Sequence, residues 1–150
     1  MNIRNVFIGR YYHTLEQHNR VSLPKPFRSH CKSWVVTRGL DGGLFLFPAE
    51  TFDDQLEHIR VQPWTKRRHR DLARLFANSA QQVEVDTNGR VLLPEYLTKL
   101  AKLRKQVVIV GSYNYVELWD QELYHQYLDQ LEPQAESVAE QLGAEQLSAK

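Results

Sequence analysis

Two stretches of this chain carry one pattern. Leu15-Glu16-Gln17-His18-Asn19-Arg20-Val21-Ser22-Leu23-Pro24 is echoed by Val85-Asp86-Thr87-Asn88-Gly89-Arg90-Val91-Leu92-Leu93-Pro94, with acid, arginine and proline each recurring at an offset of 70 residues. The echo resumes downstream at an offset of 72, where Gly39 meets Gly111, Phe47 meets Trp119, Glu50 meets Glu122, Phe52 meets Tyr124 and Leu56 meets Leu128. A period this long is a whole supersecondary unit, too long for one turn of a solenoid. Two copies within 150 residues predict one pseudo-symmetric domain whose halves share a core. Each copy sets an arginine at the same point of a turn, and paired basic turns suit a repetitive anionic partner such as duplex DNA.

Turn residues and apolar runs predict the elements. A strand is expected over 5–15 around Gly9, then a polar turn from Glu16 to Asn19 and a short strand from Arg20 to Leu23, stopped by Pro24. Pro24-Lys25-Pro26 opens a short helix, because proline is tolerated in a first helical turn. Strands over Trp34–Thr37 and Leu44–Phe47 flank the turn Gly39-Leu40-Asp41-Gly42-Gly43. A helix starts at Pro48-Ala49-Glu50 and runs through about Ile59, with Phe52, Leu56 and Ile59 on one face. Pro63 begins a connector, and Thr65 is a candidate N-cap for a helix reaching about Ser79.

The second copy repeats the order: strands over 82–86 and 90–93, a helix over 95–101, strands over 107–110 and 115–119, and a helix from about Gln121 that ends before Pro133. The acidic, Ala/Gln-rich remainder is expected to be a weak helix or a frayed tail. The fold class is therefore mixed β/α, mainly β with helices. The expectation is a pseudo-twofold small β-barrel in which the two β-β-α-β-β-α repeats interleave into one closed barrel with the helices outside. The expected boundaries are 5–60 for repeat one, 61–81 for the connecting helix, 82–132 for repeat two and 133–150 for the tail.

Composition excludes little, but charge is unevenly spread. The formal net charge is +1, yet residues 1–75 carry 13 Lys/Arg against 7 Asp/Glu and residues 76–150 carry 6 against 11. An anionic partner should feel the first half more strongly, because a field depends on local charge. The single cysteine, Cys31, forbids an internal disulfide and fits a reducing compartment. No signal peptide and no apolar run of about 18 residues are seen, so a cytoplasmic protein is expected, with no membrane and no small-molecule substrate.

The chemistry of the turns favours recognition over catalysis. A two-stranded ribbon fits the major groove, and Arg20 and Arg90 each follow a tight turn from which a long side chain can project. The planar guanidinium fork matches guanine O6 and N7, or a phosphate. Glu16 and Asp86, four residues earlier, can hold that fork or the turn amides. The alternative is that Glu16–Arg20 and Asp86–Arg90 are exposed ion pairs bracing a turn, each worth about 0–1 kcal/mol. Lys66-Arg67-Arg68-His69-Arg70 is the most basic run. It reads as phosphate contacts or, equally, as a solvated helix face or a surface paired with acids of another subunit. His13, Glu16 and His18 do not have helical metal-ligand spacing, and Cys31 lacks a CxxC partner, so no metal, cofactor or nucleophile is expected. Trp34, Phe45, Phe47 and Trp119 sit among apolar neighbours and read as core or subunit interface.

Taken together, these residues resemble the MraZ family, bacterial transcription factors built of two tandem SpoVT/AbrB-like units. The leading Phe-x-Gly-x-Tyr-x-His-x-Leu of that family appears as Phe7 to Leu15, its Asp-x-x-x-Arg signature as Asp86 to Arg90, and its closing Val-Gly-x-x-x-x-x-Glu-Leu-Trp-Asp as Val110 to Asp120. The first signature departs, with Glu16 for Asp, His18 where lysine is common and Asn19 where glycine is common. Asparagine tolerates a left-handed turn position, and histidine carries less positive charge than lysine at neutral pH.

The resemblance implies a nucleoid-associated regulator that assembles as ring-like homo-oligomers. It also implies binding to short DNA repeats upstream of its own operon in the cell-division and cell-wall gene cluster. The implied DNA-binding set is Arg20, Arg90, His18, Asn19, Asn88, Gly89 and Lys25, with Glu16 and Asp86 as orienting acids and Lys66, Arg67, Arg68 and Arg70 as phosphate contacts. A protein-interaction module of the same fold, antitoxin-like and masking a partner with its acidic tail, is the alternative.

Overall fold

The structure is a computed structural model that describes residues 6–148. The strands are β1 (Arg10–Thr14), β2 (Arg20–Ser22), β3 (Ser33–Arg38), β4 (Leu44–Pro48), β5 (Gln81–Glu84), β6 (Arg90–Leu92), β7 (Gln106–Gly111) and β8 (Val116–Asp120). The helices are α1 (Lys25–Arg28), α2 (Phe52–Gln55), α3 (Glu57–Arg60), α4 (Arg67–Phe76), α5 (Glu95–Leu100), α6 (Gln121–Leu131) and α7 (Ala135–Ser148).

Six strands form one antiparallel sheet in the order β1-β7-β8-β4-β3-β5, and β2 pairs only with β6. The order is a palindrome under the exchange of the two repeats, which maps β1 onto β5, β3 onto β7 and β4 onto β8. The edge strand of each repeat lies on the other: β1 pairs with β7, and β5 pairs with β3. The repeats are thus interleaved, and neither can bury its own strands alone.

The core explains the interleaving. Val21, Leu23, Phe27, Leu44 and Leu46 from the first repeat are buried with Val91, Leu93, Leu97, Val116 and Leu118 from the second. Each such side chain gains about 1.5–3 kcal/mol by leaving water, and both halves draw on one shared reservoir. Trp34 is fully buried, and its indole N–H donates to the Cys31 carbonyl at 3.1 Å. A second cluster on the opposite sheet face packs Val108, Val110 and Trp119 under Leu123, Tyr124 and Tyr127 of α6. Trp34 and Trp119 lie in these two clusters; Phe47 is buried outside them against Phe45, Phe52 and Tyr115, and Phe45 is half-buried.

The expected closed barrel does not form. The ribbon β2–β6 lies between the sheet edges β1 and β5, but among the described residues a single backbone hydrogen bond ties each of its strands to the segment that follows the edge strand of the same repeat. Glu16 N–H donates to the Arg20 carbonyl at 2.7 Å, and Asp86 N–H to the Arg90 carbonyl at 2.8 Å. Both strands of the ribbon are three residues long, too short to continue a ladder on both sides.

Three expectations about the helices are corrected. The helix over 48–59 is broken into a 3-10 turn, α2 and α3, with Leu56 at φ −105° and ψ 28° between the last two. Thr65 is not an N-cap: α4 begins after Lys66, without a side-chain cap, and ends at Phe76 rather than Ser79. The last helix ends before Pro133 as expected, α6 closing at Leu131, and the chain then passes through the 3-10 segment Glu132–Gln134, with Pro133 acceptable in its first turn, into α7. The tail is consequently helical over Ala135–Ser148, with exposed Val138, Leu142 and Leu147. The first strand is shorter than expected, starting after Gly9 at φ 97°, and Asn5 lies outside the described residues. Among the described residues no helix is long and apolar enough to cross a membrane.

Candidate nucleic-acid interface

The ribbon has one face in the core and one in solvent. Period-two alternation buries Val21 and Val91, which lie directly opposite each other, and turns Arg20, Ser22, Arg90 and Leu92 outward. Arg20 is opposite Leu92, and Ser22 is opposite Arg90. The two repeat-equivalent arginines therefore share one outer face of four residues, held by a valine pair beneath.

A turn lies at each end of this ribbon, and each is tied to the end of the opposite repeat's strand. Leu23 N–H donates to the Gly89 carbonyl at 3.0 Å, and Leu93 N–H donates to the Asn19 carbonyl at 2.9 Å. These are repeat-equivalent bonds, so the backbone frame is symmetric.

The side chains are not. Asp86 closes its own turn: its Oδ1 accepts from Asn88 N–H at 2.8 Å and from Arg90 N–H at 2.9 Å. The Arg90 amide, then the Asn88 amide and the charges of Arg90 and Arg20, hold the Asp86 carboxyl below the usual carboxylate range against a smaller opposing effect of burial. Glu16, one methylene longer, makes no such bond to its own turn. It reaches across the ribbon, where its Oε1 accepts from Arg90 Nη1 at 3.1 Å. Arg90 Nε also lies 3.6 Å from Asp86 Oδ2. Arg90 is therefore held by the acids of both repeats. Arg20 has no acid within 4.0 Å among the described residues. The sequence-level pairing of Glu16 with Arg20 is corrected to Glu16 with Arg90.

The turns also differ in backbone. In the first, His18 and Asn19 both adopt left-handed conformations, at φ 61° and 59°. In the second, only Gly89 does, at φ 79°. Asparagine and histidine are the non-glycine residues best suited to that region, which explains how the first turn keeps its course without glycine. A Cβ on Gly89 would stand 2.9 Å from the Arg28 guanidinium carbon.

Each turn borders a shallow cleft. The first is lined by Thr14, Glu16, Gln17, His18, Arg20, Arg90 and Lys105. The second is lined by Lys25, Arg28, Lys32 and the turn Asp86–Gly89, so Lys25 and Asn88 share it. Arg28, Lys32 and Lys105 were not singled out from sequence. Lys66, Arg67, Arg68 and Arg70 belong to neither cleft. Arg67 and Arg68 line a separate one with Gln62, His69, Leu72 and Leu75. There Arg70 Nη1 donates to the carbonyls of Trp64 and Thr65 at 3.0 Å each, a local bracing role, and Arg67 Nε lies 4.0 Å from Asp71.

Fold and site define a class: a two-repeat, strand-interleaved protein with a basic two-stranded ribbon on its surface. Comparison with known proteins agrees. The family model described as "MraZ protein, putative antitoxin-like" matches twice in tandem, over residues 6–75 and 76–145, so the chain belongs to the MraZ family. A protein of Carboxydothermus hydrogenoformans named "Transcriptional regulator MraZ" is 41% identical over 138 residues, covering 91% of this chain and 96% of the relative. Relatives of the same name from Natranaerobius thermophilus and Heliobacterium modesticaldum are 38% and 36% identical with the same coverage.

Proposed function

We propose that this protein is a sequence-specific, double-stranded-DNA-binding transcriptional regulator whose reading head is the outer face of the β2–β6 ribbon. The observation that carries the reading is the placement of Arg20 and Arg90 together on that face, above the buried Val21–Val91 pair. A ribbon of this kind enters a major groove, and an arginine fork there meets guanine O6 and N7. His18, Asn19, Asn88 and Gly89 shape the turns, and Lys25 contacts a phosphate. Glu16 and Asp86 orient Arg90 in advance, which lowers the ordering cost of binding. No bond is made or broken; the chemistry is recognition.

One ribbon covers little of a duplex. Specificity then comes from several chains on repeated short boxes, through avidity, and we place the protein in a ring-like homo-oligomer on the nucleoid in the cytoplasm. We further propose that the boxes lie upstream of its own operon among cell-division and cell-wall genes. The competing reading is an antitoxin-like module that captures a protein partner; the acidic, solvent-exposed helix α7 favours it.

A mobility-shift titration with the duplex upstream of its own coding sequence, paired with light scattering, tests the proposal. The expected result is salt-sensitive shifts of that duplex at lower protein concentration than a scrambled one, by a closed assembly well above monomer mass. Equal affinity for both duplexes, or tight specific binding by a monomer to one isolated box, contradicts it.

A further inference from the structure

The charges at the centre of the ribbon cancel. Arg20 and Arg90 are matched by Glu16 and Asp86, and Arg90 contacts both acids. A neutral cluster gives an anionic duplex orientation but little net attraction. The uncompensated positive charge lies at the flanks.

Lys32 and Lys105 occupy equivalent places there. The Lys105 carbonyl accepts from Leu15 N–H, and the Lys32 carbonyl accepts from Val85 N–H, both at 2.8 Å. Leu15 and Val85 immediately precede the two acids, so each lysine is fastened by its backbone beside the turn of the opposite repeat. Both side chains are exposed, and each lines the cleft at its turn. Among the described residues neither has an acid within 4.0 Å. Their equivalence is hidden in the sequence, because the two stand 73 residues apart and fall outside both echo offsets.

With the ribbon arginines set aside, the second cleft is the richer in cations. Lys25 and Arg28 of α1 join Lys32 there. Arg28 Nη1 donates to the Leu23 carbonyl at 2.7 Å, and its guanidinium lies over Gly89, which anchors one cation directly against the turn. Besides Glu16 and the ribbon arginines Arg20 and Arg90, the first cleft has Lys105 with the neutral Gln17 and Thr14 and with His18.

Resting on the duplex-binding reading above, we propose that the two clefts are phosphate-backbone sites, Lys32 with Lys25 and Arg28 at the second turn and Lys105 at the first. Labour is then divided. The ribbon discriminates sequence, and the flanking cations supply the salt-dependent affinity, mostly at the second turn. Lysine suits this role as a compact point charge that neutralises phosphate without reading a base. Each neutralised phosphate releases condensed counterions, so each contact adds about 0.9 to the slope of log affinity against log salt concentration.

The test is fluorescence anisotropy of the full chain with the upstream duplex and a scrambled duplex, between about 50 and 200 mM salt. Arg28 is left intact because its bond to Leu23 also supports the fold. Lys32→Ala and Lys105→Ala should each weaken binding to both duplexes by the same factor and lower the salt slope by about 1 per engaged subunit. Lys25→Ala combined with Lys32→Ala should lose more affinity than Lys105→Ala. Arg20→Ala should instead lower the ratio between the duplexes. If wild type binds in a salt-sensitive manner while the lysine variants keep its slope, the cleft assignment falls and the ribbon reading stands. A lysine variant that changes the ratio rather than the slope overturns the division of labour. Wild type that binds neither duplex overturns both proposals. Thermal melts of each variant at the wild-type temperature establish that the fold is intact.

Discussion

The first and second turns sit on one symmetric backbone frame, yet they solve the same problem differently. The second is self-sufficient: Asp86 satisfies two amides of its own turn, glycine takes the left-handed position, and the adjacent arginine is clamped. The first leans on its neighbour. Glu16 abandons its own turn for Arg90, His18 and Asn19 absorb two left-handed positions, and Arg20 is left without an acidic partner among the described residues. One methylene separates these outcomes, since Asp is short enough to reach the amides two and four residues on while Glu extends past them. The lesson is that repeat equivalence fixes where side chains start and leaves open where they end.

The same contrast recurs where each repeat ends. Asp120 and Pro48 are equivalent at the offset of 72. Asp120 caps α6, accepting from Leu123 N–H at 3.3 Å, and binds Arg104 through both carboxylate oxygens, with Arg104 Nη2 at 2.7 Å. Burial alone would raise its pKa; the Arg104 side chain and the Leu123 and Arg104 amides outweigh it and hold the carboxyl below the usual range. Pro48 offers no cap, and the helix that follows breaks at Leu56.

The largest effect that probes this difference is Asp120→Ala. Loss of a cap and of a buried, multiply bonded carboxylate should cost about 2–4 kcal/mol, whereas Pro48→Ala should cost under about 1 kcal/mol; urea unfolding measures both. Comparable costs would erase the asymmetry between the two ends.

Next in size is Gly89→Ala. It places a side chain at φ 79° against Arg28 and should destabilise by about 1–3 kcal/mol. Asn19→Gly, at the corresponding point, should be neutral or stabilising by under about 1 kcal/mol. A neutral Gly89→Ala would mean that the second turn is no more exacting than the first.

The smallest effect is on pH dependence. Folding lowers the Asp86 pKa, so the stability it contributes is present above the ordinary value of 3.8 and is lost as pH falls through the still lower folded-state value. Asp86→Asn should remove that component from an acid unfolding series, and Glu16→Gln should leave it in place. The reverse pattern would assign the turn to the wrong acid.

Much of the architecture was legible. Pro24 and Pro94 close the short strands, the β-branched and aromatic runs mark β3, β4, β7 and β8, and the echo foretold two interlocked copies. What was hidden depends on contacts between copies. Nothing local says that β1 pairs with β7, that Glu16 crosses to Arg90, or that Lys32 matches Lys105, because each is decided by docking one repeat on the other. Apolar spacing also misled: Phe52, Leu56 and Ile59 share a helical stripe, but a stripe without a cap did not sustain one continuous helix. Alternation sets Arg20 and Arg90 each opposite in direction to its neighbouring valine, but that they share one outer face depends on the pairing of β2 with β6, again a contact between copies.

The central claim is that this face reads bases, and the ratio of affinities for the upstream and scrambled duplexes measures it most directly. Arg20→Ala and Arg90→Ala should each reduce that ratio by about 1–3 kcal/mol per lost base contact. Only Arg90→Ala, which removes the cation that Glu16 and Asp86 share, should also lower the melting temperature. Both variants retaining the wild-type ratio would contradict the account.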